Sequence, residues 1–112
     1  MAESASLRPA TPDDLDSVAA VEKRVHVAPW SRENFEGELA KPYSAVWVLT
    51  DDETDSRVLG YVAFWILDET AEILNLAVDL EFRGLGFAKR MLQSVIQESI
   101  RRGAKRLILD VR

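Results

Sequence analysis

The run Arg83-Gly84-Leu85-Gly86-Phe87-Ala88, with Lys89 after it, gathers two glycines, a small residue and basic side chains at one point of the chain. The apolar residues before it read as a strand and those after it as a helix, so the run is a strand-to-helix turn. Small residues let backbone approach a ligand closely. The first amides of a helix have no partner inside it, and the helix dipole favours an anion there. A pyrophosphate fits such a turn, with Arg83 and Lys89 adding charge at the mouth. Alone, a two-glycine turn is more often a plain connection. A Walker loop would need Gly-Lys-Ser/Thr, which this sequence lacks. A dinucleotide fingerprint would need a third glycine where Lys89 stands and an acid ending the next strand, where only Asp110 is available.

Other residues with chemical potential are few. His26 is the single histidine; it reads as a helix-end or surface residue and cannot build a metal cluster alone. Trp30 follows Val27-Ala28-Pro29 and either walls a binding site or packs in the core. Trp47 and Trp65 lie inside strand patterns and read as core. Glu72 opens a strand, either as a solvated acid or as a helper in a proton relay. Asp68 and Glu69 read as turn residues.

With 112 residues the chain holds one domain, 1–112, and buries about 65% of its unfolded surface. Hydrophobic residues make up 47% and charged residues 29%, an ordinary globular composition. The net charge of −5 argues against nucleic acid, which calls for a basic face. The absence of cysteine removes disulfides, thiolate nucleophiles and thiolate metal sites. No run of about 18 apolar residues suggests a membrane span. The opening MAESASL lacks the basic start and apolar centre of a secretory signal. A cytoplasmic location is expected.

The elements that must hold the turn can be read from periodicity. Ser6–Arg8 is a short first strand. Thr11-Pro12-Asp13-Asp14 is an N-cap, a proline at the first helical position and acids in the first turn, predicting a helix over Pro12–Val25. Ser31, with Asn34 three residues on, caps a second helix that Pro42 ends. Ser44–Thr50 reads as a strand, Asp51–Ser56 as a solvated acidic turn, and Val58–Leu67 as a strand covered on both faces. Glu72–Val78 is the next strand. Ala88, Met91, Leu92, Val95, Ile96 and Ile100 mark a helix, and Gly103 stands where a left-handed cap belongs. Leu107–Val111 is a last strand of interior character. The order is two helices, an antiparallel meander, then a βαβ unit.

The segment Leu67-Asp68-Glu69 … Asn75-Leu76-Ala77-Val78-Asp79 … Arg83-Gly84-Leu85-Gly86-Phe87-Ala88 … Leu109-Asp110-Val111-Arg112 resembles the GNAT acetyltransferases. It looks most like their ribosomal-protein-alanine N-acetyltransferases (RimI-like), which Glu22-Lys23-Arg24-Val25-His26 and Pro29-Trp30-Ser31 also fit. The resemblance implies an α/β (α+β) fold in three layers. Its mixed, mainly antiparallel sheet would carry a βαβ acetyl-CoA-binding unit and lack the final strands. It spans nearly all of this chain but about three-quarters of a family domain, so the C-terminal part is expected to be missing.

Carried onto this sequence, the resemblance implies acetyl transfer from acetyl-CoA to the N-terminal α-amine of a protein, such as a ribosomal protein. Leu76, Ala77 and Val78 would offer backbone groups to the pantetheine arm. The turn Arg83, Gly84, Leu85, Gly86, Phe87, Ala88 and Lys89 would hold the pyrophosphate. Asp110 falls where the family places its general-base glutamate, and Trp30 lies in the region that walls the peptide site. The chemistry needs a neutral amine, hence a proton acceptor. It also needs donors for the charge that develops on the thioester carbonyl. No metal is required. Leu80 stands where proline is usual and is expected to loosen the turn, while Asp110 is one methylene shorter than glutamate. The family's Ser-Asn pair, next helix and tyrosine acid are absent. Two other readings follow: a catalytically impaired CoA-binding fragment, or a protein-interaction module. The exposed last strand would serve either as a homodimer contact.

Overall fold

The structure, a computed structural model, describes residues 4–53 and 57–110. Thr54–Ser56 of the acidic turn, Val111 and Arg112 after the last strand, and Met1–Glu3 lie outside the described residues.

Strand β1 covers Ala5–Pro9 and leads into Thr11-Pro12-Asp13-Asp14. The Asp14 carboxylate accepts the Thr11 amide at 2.7 Å and both terminal nitrogens of Arg8 at 2.8 and 2.9 Å. This folding back tightens Pro12–Asp14 into a 3-10 turn, so α1 begins at Leu15 rather than Pro12 and runs Leu15–Val25. Helix α2, Arg32–Leu39, starts from a reciprocal cap: Ser31 Oγ accepts the Asn34 amide (3.2 Å), and Asn34 Oδ1 accepts the Ser31 amide (2.9 Å). It stops short of Pro42, which disfavours helical backbone in the residue before it.

Strands β2 (Ser44–Asp51), β3 (Val58–Leu67), β4 (Thr70–Val78) and β5 (Arg106–Leu109) complete one sheet in the order β1-β2-β3-β4-β5. All neighbours are antiparallel except β4 and β5, which are parallel across helix α3, Phe87–Arg101. Gly103, at φ +88°, closes α3 by a left-handed cap in which the Ala104 amide donates to Ser99 O (2.9 Å).

The sheet is the middle of three layers. One face packs Leu49, Leu59, Val62, Phe64 and Ile73 against Phe87, Met91 and Val95 of α3. The other packs Val46, Val48, Tyr61, Ala63 and Ala77 against Leu15, Val18 and Val21 of α1 and Phe35 of α2. Strand β3 is therefore buried on both sides, as its continuous apolar run requires. Trp47 packs on the first of these cores, edge-on to Phe64. Trp65 departs from the expected core position. It is only partly buried near the end of β3, donates Nε1 to Glu38 at 2.6 Å, and lies under Lys41 Nζ at 5.0 Å. Its polar N–H needs a partner, which the sheet margin supplies and the apolar centre does not. Among the described residues β5 lies at the margin of the sheet, with all four of its residues exposed.

Gly60 on β3 is tightly enclosed by β4 and by Met91 of α3. A Cβ there would lie 2.7 Å from Ala77 O and 3.2 Å from Met91 Cε. Gly60→Ala is expected to destabilise the fold by about 1–3 kcal/mol. Gly37→Ala on the exposed side of α2, where a Cβ meets nothing, should instead stabilise by about 0.5–1 kcal/mol. Urea denaturation of both variants checks the pair.

Candidate active site

Strand β4 sits between two different neighbours. On the β3 side its register steps from Ala63↔Asn75 to Phe64↔Ile73, so Leu74 is an extra residue and β4 is bulged there. On the β5 side pairing runs only from Thr70↔Arg106 to Ile73↔Leu109, followed by one further bond from the Asp110 amide to Ile73 O (3.1 Å). From Leu74 onward, β4 has no strand partner on that side among the described residues. A cavity of about 280 Å³ opens beside it, lined by Ile73, Leu76, Ala88, Lys89, Leu92 and Leu109.

The glycine-containing turn lies between the end of β4 and the start of α3. Gly84 and Gly86 have φ of +80° and +82°, in the left-handed region that side-chain-bearing residues rarely adopt. Gly86 is the N-cap of α3 and has no side chain to cap it, and there is no acid in the first turn. The first helical bond is Arg90 N to Gly86 O (3.0 Å), so the amides of Phe87, Ala88 and Lys89 have no acceptor within the helix. Phe87 is buried and pins the helix start to the core, while Arg83 to Gly86, Ala88 and Lys89 are exposed. The arrangement presents open amides, a helix dipole and Lys89 to an anion, next to an apolar slot.

The turn is held by charge from the opposite face. Arg24 on α1 donates to Asp79 through Nε (2.9 Å) and Nη2 (2.7 Å), and Asp79 also accepts the Leu80 amide (2.9 Å). The Arg24 hydrogen bond is the main force holding the Asp79 carboxyl below its ordinary range, against a smaller opposing effect of burial. Leu80 does not loosen the turn here. Its amide, which proline would lack, completes the Asp79 contact and starts the 3-10 turn Leu80–Phe82.

The structure brings Leu76, Ala88 and Lys89 to one cavity and places Arg83–Phe87 just ahead of them in the same turn. Ala77 and Val78 are buried at the end of β4, in register with Tyr61 and Gly60 of β3. Asp110 is exposed just past β5, with its amide bonded to Ile73 O of β4. Trp30 lies on the other face of the sheet, with its ring 5.2 Å from Phe35, which in turn packs edge-on against Tyr61. His26 ends α1, with Nε2 3.4 Å from Glu22 Oε1. Sequence reasoning missed the Arg24–Asp79 pair, which is non-local, and the buried carboxylate of Glu22. The latter had a signal: an acid on the apolar stripe of α1 beside Val18, Val21 and Val25. Among the described residues, no group of three or more His, Asp or Glu could hold a metal ion, and no helix is long and apolar enough to cross a membrane.

Residues 14–112 match the acetyltransferase (GNAT) family. This chain belongs to the GNAT acetyltransferases. A relative from Bacillus subtilis (strain 168), provisionally named as a [ribosomal protein bS18]-alanine N-acetyltransferase, is 31% identical over 113 residues. That match covers all of this chain and 73% of the relative. The [ribosomal protein bS18]-alanine N-acetyltransferase of Salmonella typhimurium is 33% identical over 99 residues, covering 88% of this chain and 64% of its own length. The crystal structure of the ribosomal-protein-S18-alanine N-acetyltransferase from Escherichia coli superposes with a TM-score of 0.83 at 23% identity, over 94% of this chain and 65% of that one. The chain thus spans roughly two-thirds to three-quarters of these relatives. The three-layer fold with a mixed five-stranded sheet is the GNAT fold. GNAT acetyltransferases use acetyl-CoA, and the apolar slot beside an uncapped helix start suits a molecule with a pantetheine arm and a pyrophosphate.

Because its carboxyl is held low, Asp79 stabilises the fold fully above the ordinary aspartate value near 4 and loses that contribution as pH falls below it. Asp79→Asn should lower stability at pH 7 by about 1–2 kcal/mol, the low figure reflecting the half-exposed Arg24. The gap from the parent should shrink as pH is lowered to 3, which denaturation at the two pH values measures.

Proposed function

We propose that this chain transfers an acetyl group from acetyl-CoA to the N-terminal α-amine of a protein. An alanine-initiated ribosomal protein is the leading acceptor. The observation that carries the reading is the apolar cavity beside β4 that adjoins the uncapped start of α3. The names of the relatives, which specify alanine of ribosomal protein bS18, support the choice of acceptor.

Bound acetyl-CoA would supply an acetyl group activated as a thioester. In this reading the open backbone of Leu76, Ala77 and Val78 pairs with the pantetheine arm as a strand would. The amides of the turn from Arg83 to Ala88, with Lys89 at the mouth, hold the pyrophosphate. Asp110, beyond the end of β5, accepts the proton that the amine must lose. Trp30 forms part of the wall against which the acceptor's first residues lie.

Calorimetry of the full-length protein with CoA tests the first half of this reading, and undetectable binding at millimolar CoA would remove it. Mass spectrometry of an alanine-initiated peptide after incubation with acetyl-CoA tests the second half. Gly86→Ala should weaken CoA binding about tenfold or more, because the turn can no longer hold its left-handed backbone without strain of about 1–2 kcal/mol. Asp110→Asn should leave CoA affinity unchanged while lowering kcat by about a hundredfold or more.

A further inference from the structure

We infer that Glu22 is a positioning residue for the acceptor: its buried carboxylate ties the loop between α1 and α2 to the bulged strand β4. The inference rests on the reading of Trp30 as part of the acceptor's wall.

Glu22 is completely buried, although it occupies a place on α1 where an aliphatic side chain would pack at no electrostatic cost. Burying a carboxylate is expensive unless donors surround it. They do so here from separate parts of the chain. Tyr61 on β3 donates its hydroxyl to Oε1. Asn75 on β4 donates Nδ2 to both oxygens, at 3.1 Å each. The backbone amide of Trp30 donates to Oε2 at 2.9 Å. One acidic side chain thus joins α1, the loop, β3 and β4.

Two features give this junction a functional direction. Asn75 immediately precedes Leu76, which lines the cavity between β4 and α3, and it lies next to the bulged residue Leu74. The loop is otherwise exposed from Val27 to Pro29, and Val27 is entirely solvent-accessible. The carboxylate therefore fixes the inner end of an exposed loop relative to the strand that borders the cleft. An acceptor bound across loop and strand would need that spacing, whereas acetyl-CoA lying along β4 and α3 would not. Carboxylate chemistry suits the task because it accepts on both oxygens. An amide presents one oxygen and one donor, yet Asn75 Oδ1, buried without a partner, can take that donor after the amide turns over. Glutamine should therefore restore part of what leucine removes.

The test uses the full-length enzyme with acetyl-CoA and an alanine-initiated peptide. Glu22→Leu should raise KM for the peptide by about tenfold or more while KM for acetyl-CoA stays within about twofold. Glu22→Gln should fall between that variant and the parent. Peptide KM unchanged in Glu22→Leu, or both KM values raised alike, would overturn the inference. Amide hydrogen exchange guards against misfolding of the leucine variant. The Trp30 amide should exchange slowly in the parent and faster in Glu22→Gln, and loop-like exchange in the parent would overturn the tether. A parent that transfers no acetyl group would sink the proposed function instead, while its Trp30 protection would still report on the tether.

Discussion

The anchoring of the bulged strand β4 beside the uncapped start of α3 is the constraint around which the site is organised. One edge of β4 borders the cavity lined by Leu76, Ala88 and Lys89. The rest of the structure holds the strand in place. Residues of β3 lock the other edge of β4, α3 covers one face through Phe87, Met91 and Val95, and α1 covers the other through Val18 and Val21. The bulge at Leu74 shifts the register of β4 against β3 just ahead of Leu76, which lines the cavity.

Charge supplements this apolar frame at two points, and both tie α1 to β4 or to the turn that follows it. Arg24 reaches from α1 to Asp79, at the entry to the glycine-containing turn, and Glu22 reaches from α1 to Asn75 at the bulge. The residues are two apart in sequence and reach β4 beside its bulge and just past its end. Helix α1 thereby acts as a brace for the strand as well as a cover for its core. The aromatic series Trp30, Phe35 and Tyr61 extends the brace to the second helix and the intervening loop.

Much of the architecture was legible because its signals are local. The reciprocal Ser31–Asn34 cap, the run Val58–Leu67 and the left-handed stop at Gly103 each depend on neighbours a few residues away, and the structure has them where periodicity puts them. Expectations failed where a side chain's surroundings are set from a distance. Trp65 looked like core from its strand, but its N–H is drawn to Glu38 on α2 at the sheet margin. Leu80 looked like a loosened turn, but its amide is taken by an Asp79 already held by Arg24.

The sequence by itself determined the element order, the three-layer class and the family. Apolar period, caps and turn glycines act over one or two turns of chain, and the motif around Arg83 to Ala88 is contiguous. Only the tertiary structure decided which amides of the turn lack partners within the helix, and that Glu22 is a junction of four elements rather than an odd acid in an apolar stripe. Those outcomes depend on contacts such as Glu22 with Asn75, or Arg24 with Asp79, between residues more than fifty positions apart. No local pattern encodes such a distance; it exists once the sheet has brought the strands to the helix.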